Sequence, residues 1–214
     1  MNPPFAAIAL SFLVPALGLA LMLAGLARLA GLHPRGPGWC AGLVLCSLAI
    51  VATPLGGLPL ARWLAGVVDH WSVPAIALLT SAVIQRFFGI ELLQGKDRQA
   101  AWIFGALAGL LLYPLALGWG PFDPYSLGWH FGPLFVAVAV LAVVCISRHN
   151  RFGLVLVLAI AAWHLRAVES GNYWDCLLDP FYFLISAGVL GSWAWRGCAK
   201  RTADRDSAAK PQPR

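Results

Sequence analysis

Uncharged apolar runs broken by short polar segments set the pattern of this chain. Phe5 to Ala27 carries no charge and is long enough to cross a bilayer, for which about 20 residues are needed. Further runs cover Trp39 to about Thr53, Trp71 to Gln85, Gln99 to Trp119, Gly132 to Ser147, Phe152 to about Leu165 and Pro180 to Trp195. The pattern predicts a helix for each, about seven in all. Met1-Asn2-Pro3-Pro4 precedes the first run without Lys or Arg. A secretory leader starts on a basic segment, so this run is expected to be a retained helix. Between Pro54 and Pro74, Arg62 and Trp63 predict a short interfacial helix, since tryptophan favours the headgroup level; an extension of the second span is the alternative. Gly105 and Gly109 stand at a spacing that permits close helix approach, though the motif alone is weak.

Composition decides the solvent. The 214 residues are 60% hydrophobic and 11% charged, with a mean hydropathy of +0.76. An ordinary soluble domain is about a quarter charged, and a globule of this size needs a polar surface that this chain does not supply. The expected class is an all-α polytopic membrane helix bundle. Residues 1–196 form one transmembrane domain, and residues 197–214 a polar cytoplasmic tail expected to be disordered.

The net charge of +6 does not mark a nucleic-acid face, because the basic residues lie in short loops and in the tail. With alternate loops on opposite sides, Arg28, Arg35, Arg86, Lys96, Arg98, Arg148, Arg151 and the six tail cations share one side, thirteen in all. Arg62 and Arg166 alone occupy the other. Such asymmetry predicts N-terminus out and C-terminus in. Compact loops and an Ala/Leu/Gly-rich composition suit a bacterial inner membrane, with membrane lipids as expected partners. The five cysteines lack metal or redox spacing, which predicts no disulfide framework.

Chemistry-bearing side chains collect on the expected translocated face. The stretch from His164 to Pro180, H-L-R-A-V-E-S-G-N-Y-W-D-C-L-L-D-P, is the densest run of ionisable groups before the tail. It offers His164, Glu169 and Asp175 as general acid or base candidates, and Arg166 as a fork for an anionic group such as phosphate. Asp69, His70, Asp123 and His130 join them from two earlier loops as substrate-binding candidates. Tryptophans and tyrosines surround the set, as suits a sugar ring, a lipid headgroup or a simple interface belt.

Each residue also has a structural role to play. Asp179 before Pro180 reads as a helix N-cap, and Ser72 as another. Asn172 with Asp175 resembles a loose capping box, Asp123-Pro124 is turn chemistry, and Arg166 with Glu169 would pair on a continued helix. No H-E-x-x-H or paired His spacing is present, so neither metal nor cofactor is expected. The expected function is action on a lipid or lipid-linked saccharide of the cell envelope. The alternatives are a non-catalytic subunit with a membrane-protein partner in envelope or polysaccharide assembly, and an uncoupled transporter or flippase. Proton-coupled transport is disfavoured because no span carries a charge at its middle.

Overall fold

The computed structural model describes residues 5–32, 36–66, 70–168 and 170–209. Asp69 and Glu169 lie outside the described residues. The chain is mostly helical, at 76%. Seven helices of 13 residues or more stand, among the described residues, where seven spans are predicted. They are α1 (Phe5–Leu29), α2 (Pro37–Ala52), α4 (Val73–Phe88), α5 (Gly95–Ala116), α6 (Pro133–Ser147), α7 (Phe152–His164) and α9 (Pro180–Ala209). Between them lie the short helices α3 (Leu60–Ala65) and α8 (Tyr173–Leu177), and one 3-10 turn over Pro124–Gly128.

Length separates these helices. Among the described residues two segments, Ile8–Leu29 and Gly95–Ala116, are long and apolar enough to cross a membrane, each with 22 residues. α6 and α7 have only 15 and 13 residues, so α7 rises about 20 Å at 1.5 Å per residue. The local reason is explicit stop chemistry. Pro133 opens α6, and α7 ends at His164 although the apolar pattern runs one residue further. At the other extreme, α9 continues beyond Trp195 to Ala209.

The segment between α2 and α4 opens as a tight hairpin leading into α3. β1 (Pro54–Leu55) pairs antiparallel with β2 (Leu58–Pro59), and the turn uses Gly56 and Gly57 at φ +58° and +87°. Two consecutive positive φ values match the twist of a two-residue hairpin, and glycine takes them without strain. The Trp63 indole on α3 donates to the Leu55 carbonyl at 2.9 Å. The short helix expected between Pro54 and Pro74 is present as α3, while the two short strands before it are not foreseen from the hydropathy pattern.

Hydrogen bonds place the helix termini at two opposite ends. At one, the Arg151 amide donates to Asp97 at 2.9 Å, the Leu93 amide to Ser81 at 3.2 Å and the Arg86 guanidinium to the Ala24 carbonyl at 3.3 Å. At the other, Ser72 meets Asp179 and Tyr125 meets Asp175. The main core runs through α4 to α9, with Phe135, Phe152, Leu156, Tyr173 and Leu177 at its centre. A second cluster of Ala16, Val51 and Ala61 joins α1, α2 and α3. Large apolar side chains also face outward, among them Leu107, Leu110 and Leu111 on α5, Val140 and Val143 on α6, and Leu154 and Leu158 on α7.

The Gly105/Gly109 pair makes the α5–α9 contact possible. A β-carbon on Gly105 would overlap the Ser186 hydroxyl and lie 2.6 Å from the Tyr182 ring, and one on Gly109 would overlap the Phe183 ring. Tyr182 then reaches across to donate its hydroxyl to the Ala101 carbonyl. Gly105→Val is expected to abolish accumulation of folded protein, because backbone and a packed ring cannot both yield. Gly18, whose β-carbon would meet nothing within 4 Å, supplies the control. Gly18→Ala should accumulate normally, as read by fluorescence-detected size exclusion of tagged variants.

Candidate functional site

Asp179, Asp97, Asp123 and Asp175 lie at these polar ends, and their partners divide them by role. Asp179 is 2% exposed. Its Oδ2 accepts from the Ser72 amide at 3.0 Å and the Ser72 hydroxyl at 2.6 Å, and its Oδ1 from the Tyr182 amide at 2.8 Å. Tyr182 is the third helical residue after Asp179, so the expected N-cap is present. It does more than cap, because Ser72 starts α4 and in turn accepts from the Ala75 amide at 3.3 Å. One buried carboxylate thus joins the first turns of α4 and α9.

Asp97 does the equivalent work at the far end, taking the Gln94 amide at 2.8 Å and the Arg151 amide at 2.9 Å while fully buried. Asp123 caps the 3-10 turn by accepting from the Tyr125 amide at 2.9 Å, and is exposed. These three bind backbone N–H groups, which is a structural task.

Asp175 is different. It is half-buried on α8, and its partners are side-chain hydroxyls. Tyr125 donates to it at 3.0 Å from the 3-10 turn, and Ser170 donates from the loop after α7. The expected capping box between Asn172 and Asp175 is not formed. The Asn172 amide donates to the Ser170 hydroxyl at 3.0 Å instead, leaving the Asp175 carboxylate to collect hydroxyls. Asn172 caps α8 through its own side chain, accepting from the Trp174 amide at 3.0 Å.

The neighbouring loop is locked in place around this carboxylate. The Asn172 side-chain amide donates to the Tyr125 carbonyl at 2.9 Å, and the Trp174 indole to the Pro124 carbonyl at 2.8 Å. Gly128 lets the two loops touch, since a β-carbon there would overlap the Asn172 side chain. The Trp163 indole donates to the Gly171 carbonyl at 2.9 Å. Trp129, 51% exposed, stands edge-on to Tyr125 with ring centroids 6.0 Å apart.

Beneath α8 the surroundings turn apolar. Tyr173 stacks on Phe135 at 4.0 Å between centroids, and its buried hydroxyl has no hydrogen-bond partner among the described residues. Burial raises the Tyr173 phenol above its ordinary range. Burial, and secondarily the charge of Asp175, pushes the Cys176 thiol up to about 12. Both groups remain neutral at physiological pH and serve packing rather than nucleophilic chemistry.

The remaining candidates separate clearly. His164 is the last residue of α7 and is exposed, as are Arg166 and His130. His70 is half-buried on the approach to α4. Arg166 does not continue the helix as expected for its pairing with Glu169. It follows the C-cap Leu165 in left-handed conformation, with φ +51°. The structure therefore brings together Asp175, Tyr125, Ser170, Asn172 and Trp129, while Asp69 and Glu169 lie outside the described residues. Ser170 is set aside on sequence because no nucleophile-elbow G-x-S-x-G pattern surrounds it; the signal for its actual role is a hydroxyl placed five residues before an Asp. Among the described residues, no group of three or more His, Cys, Asp or Glu side chains is placed to hold a metal ion.

No family model, curated protein or solved structure matches this chain.

The division of labour is measurable. Asp179→Ala strands three donors and removes the tie between two helices, so a loss of about 2–4 kcal/mol is expected. Asp123→Ala, at an exposed cap, should lose no more than about 1 kcal/mol. Thermal unfolding in detergent compares them. The thiols give a second check. At about pH 8 a maleimide should label exposed Cys198 and spare Cys176, whose thiol is buried and protonated; labelling of folded protein at Cys176 would contradict the packing described.

Proposed function

We propose that this chain is a multi-pass bacterial inner-membrane protein that binds the hydroxyl-rich headgroup of a lipid or lipid-linked saccharide of the cell envelope. The Asp175 end faces away from the cytoplasm. The bundle reading is supported by α1 and α5, which are long and apolar enough to cross a membrane. Outward-facing Leu and Val side chains on α5, α6 and α7 support it too, because a soluble surface seldom carries apolar patches of that extent. Orientation is supported by charge: Arg28, Arg86, Lys96, Arg98, Arg148 and Arg151 group at the end opposite Asp175, as the positive-inside rule requires of a cytoplasmic face.

The observation that carries the functional reading is the Asp175 carboxylate, whose side-chain partners among the described residues are the Tyr125 and Ser170 hydroxyls. A carboxylate has room for about four hydrogen bonds, so Asp175 retains acceptor capacity for hydroxyls arriving from outside. The exposed Trp129 face beside Tyr125 suits the apolar face of a sugar ring. A ligand hydroxyl bound to Asp175 would find there a base able to take its proton in a transfer reaction.

A second reading, a non-catalytic assembly subunit, is favoured by one fact. Asp179, Asn172 and Asp123 are all used to fix loops, as a rigid docking surface would require. Native mass spectrometry of protein extracted gently from its own membrane distinguishes the two. Retained glycolipid that falls about tenfold or more in Asp175→Asn and in Trp129→Ala, with melting temperature held within about 2 °C, is the expected result. Equal retention in both variants overturns the headgroup reading. A stoichiometric protein partner without glycolipid establishes the second one.

A further inference from the structure

Among the described residues four helices end with the same pair of backbone hydrogen bonds, and two of them do so on glycine. At the end of α1, the Gly31 amide donates to Arg28 and the Leu32 amide to Ala27, at 3.0 and 2.8 Å. At the end of α5, the Gly118 amide donates to Leu115 and the Trp119 amide to Pro114, at 3.0 and 3.1 Å. The residue in the middle must be left-handed, which is why glycine dominates this position. Gly31 has φ +77° and Gly118 φ +87°.

α6 and α7 make the same stop without glycine. His149 ends α6 at φ +53°, and Arg166 ends α7 at φ +51°. Arg166 donates its amide to Trp163 at 3.1 Å, and Ala167 to Ala162 at 2.9 Å. Histidine is among the residues enriched in left-handed conformation; arginine lacks the short polar side chain that makes such backbone tolerable. The fold therefore gains nothing from arginine at this position that glycine would not provide better. What arginine adds is a guanidinium, exposed, at the end of the molecule that carries Asp175.

Its reach is bounded by the chain. Ser170, whose hydroxyl holds Asp175, is four residues on from Arg166, so the two α-carbons are at most about 14 Å apart. Trp163, whose carbonyl accepts from the Arg166 amide, is itself tied through its indole to Gly171. This pins the stop beside the Asp175 loop. Among the described residues Arg166 makes no ion pair, whereas Arg98 lies 3.8 Å from Glu91. A planar fork of five donors suits a phosphate bidentately.

We infer that Arg166 is a specificity residue that binds a phosphate group on the headgroup whose hydroxyls reach Asp175. The ligand class is thus a phosphate-bearing polyol or sugar lipid. This rests on the headgroup reading of the Asp175 site and narrows it.

The test uses the full chain in phosphatidylcholine nanodiscs doped with one of two probes. Phosphatidylinositol carries a polyol ring with a phosphate, and monoglucosyl diacylglycerol a sugar ring without one. Wild type should retain the phosphorylated probe about tenfold or more in excess over the neutral one. Arg166→Gly should collapse that ratio towards one while its melting temperature is unchanged or raised, since glycine relieves the left-handed backbone. An unaltered ratio in Arg166→Gly overturns the inference and leaves the headgroup reading intact. A fall in melting temperature for both Arg166→Gly and Arg166→Asn also overturns it, because the side chain would then be structural. Retention of neither probe by wild type removes the headgroup reading itself. Competition by millimolar inorganic phosphate, with no preference between lipids, would assign the site to free phosphate and overturn the lipid class.

Discussion

Asp179 places its carboxyl group inside the protein, 2% exposed, and a polar group buried there without partners would be strongly unfavourable. It is tolerated because three donors converge on it from the starts of α4 and α9. That requirement fixes the mutual position of two helix starts 107 residues apart in sequence, and the rest of the end is built on it. α8 is joined to α9 through Leu178 and Asp179 alone, so its placement follows. With α8 in place, Asn172 and Trp174 seize the backbone of the 3-10 turn. Only then does the Tyr125 hydroxyl arrive at Asp175. The half-exposed carboxylate is thus presented by a hierarchy that starts from a buried one.

A parallel arrangement closes the other end, where Asp97 collects amides from Gln94 and Arg151 and the Arg151 guanidinium covers the Glu91 and Leu92 carbonyls. Between the two polar ends, the helices meet through small residues and aromatic rings rather than through charge. Gly105 and Gly109 receive Tyr182 and Phe183 from α9, and Phe135 receives Tyr173. In the proposed lipid setting, where burial of apolar surface gives no drive for helices to associate, such close packing would be the available source of cohesion.

The helices were legible in the sequence because period and polarity are local: every predicted run holds a helix, and the caps Ser72 and Asp179 and the turn at Asp123-Pro124 were readable from neighbouring residues. Helix ends were less so. The stop of α7 uses an arginine where the pattern to look for is glycine, and nothing in the local residues marks it. The site was half legible. Asp175 could be singled out as a carboxylate in an aromatic setting, but its hydroxyl partners come from residues 5 and 50 positions away, and spacing does not encode that convergence. The Asn172–Asp175 capping box failed for the same reason: Ser170 and Tyr125 competed for the carboxylate and won.

The shortness of α7 bears on how a ligand would arrive. Its 13 residues rise about 20 Å, while the hydrocarbon core of a bilayer is about 30 Å thick. In the proposed setting the lipid leaflet beside α6 and α7 must dimple, or these helices must be flanked by longer ones that carry the boundary. A dimple draws headgroups inward on the face where α7 ends, which is the face of Asp175. The bilayer itself would then deliver the polar part of a lipid to the depth of the carboxylate, so that binding would not require a lipid to be lifted out of its leaflet.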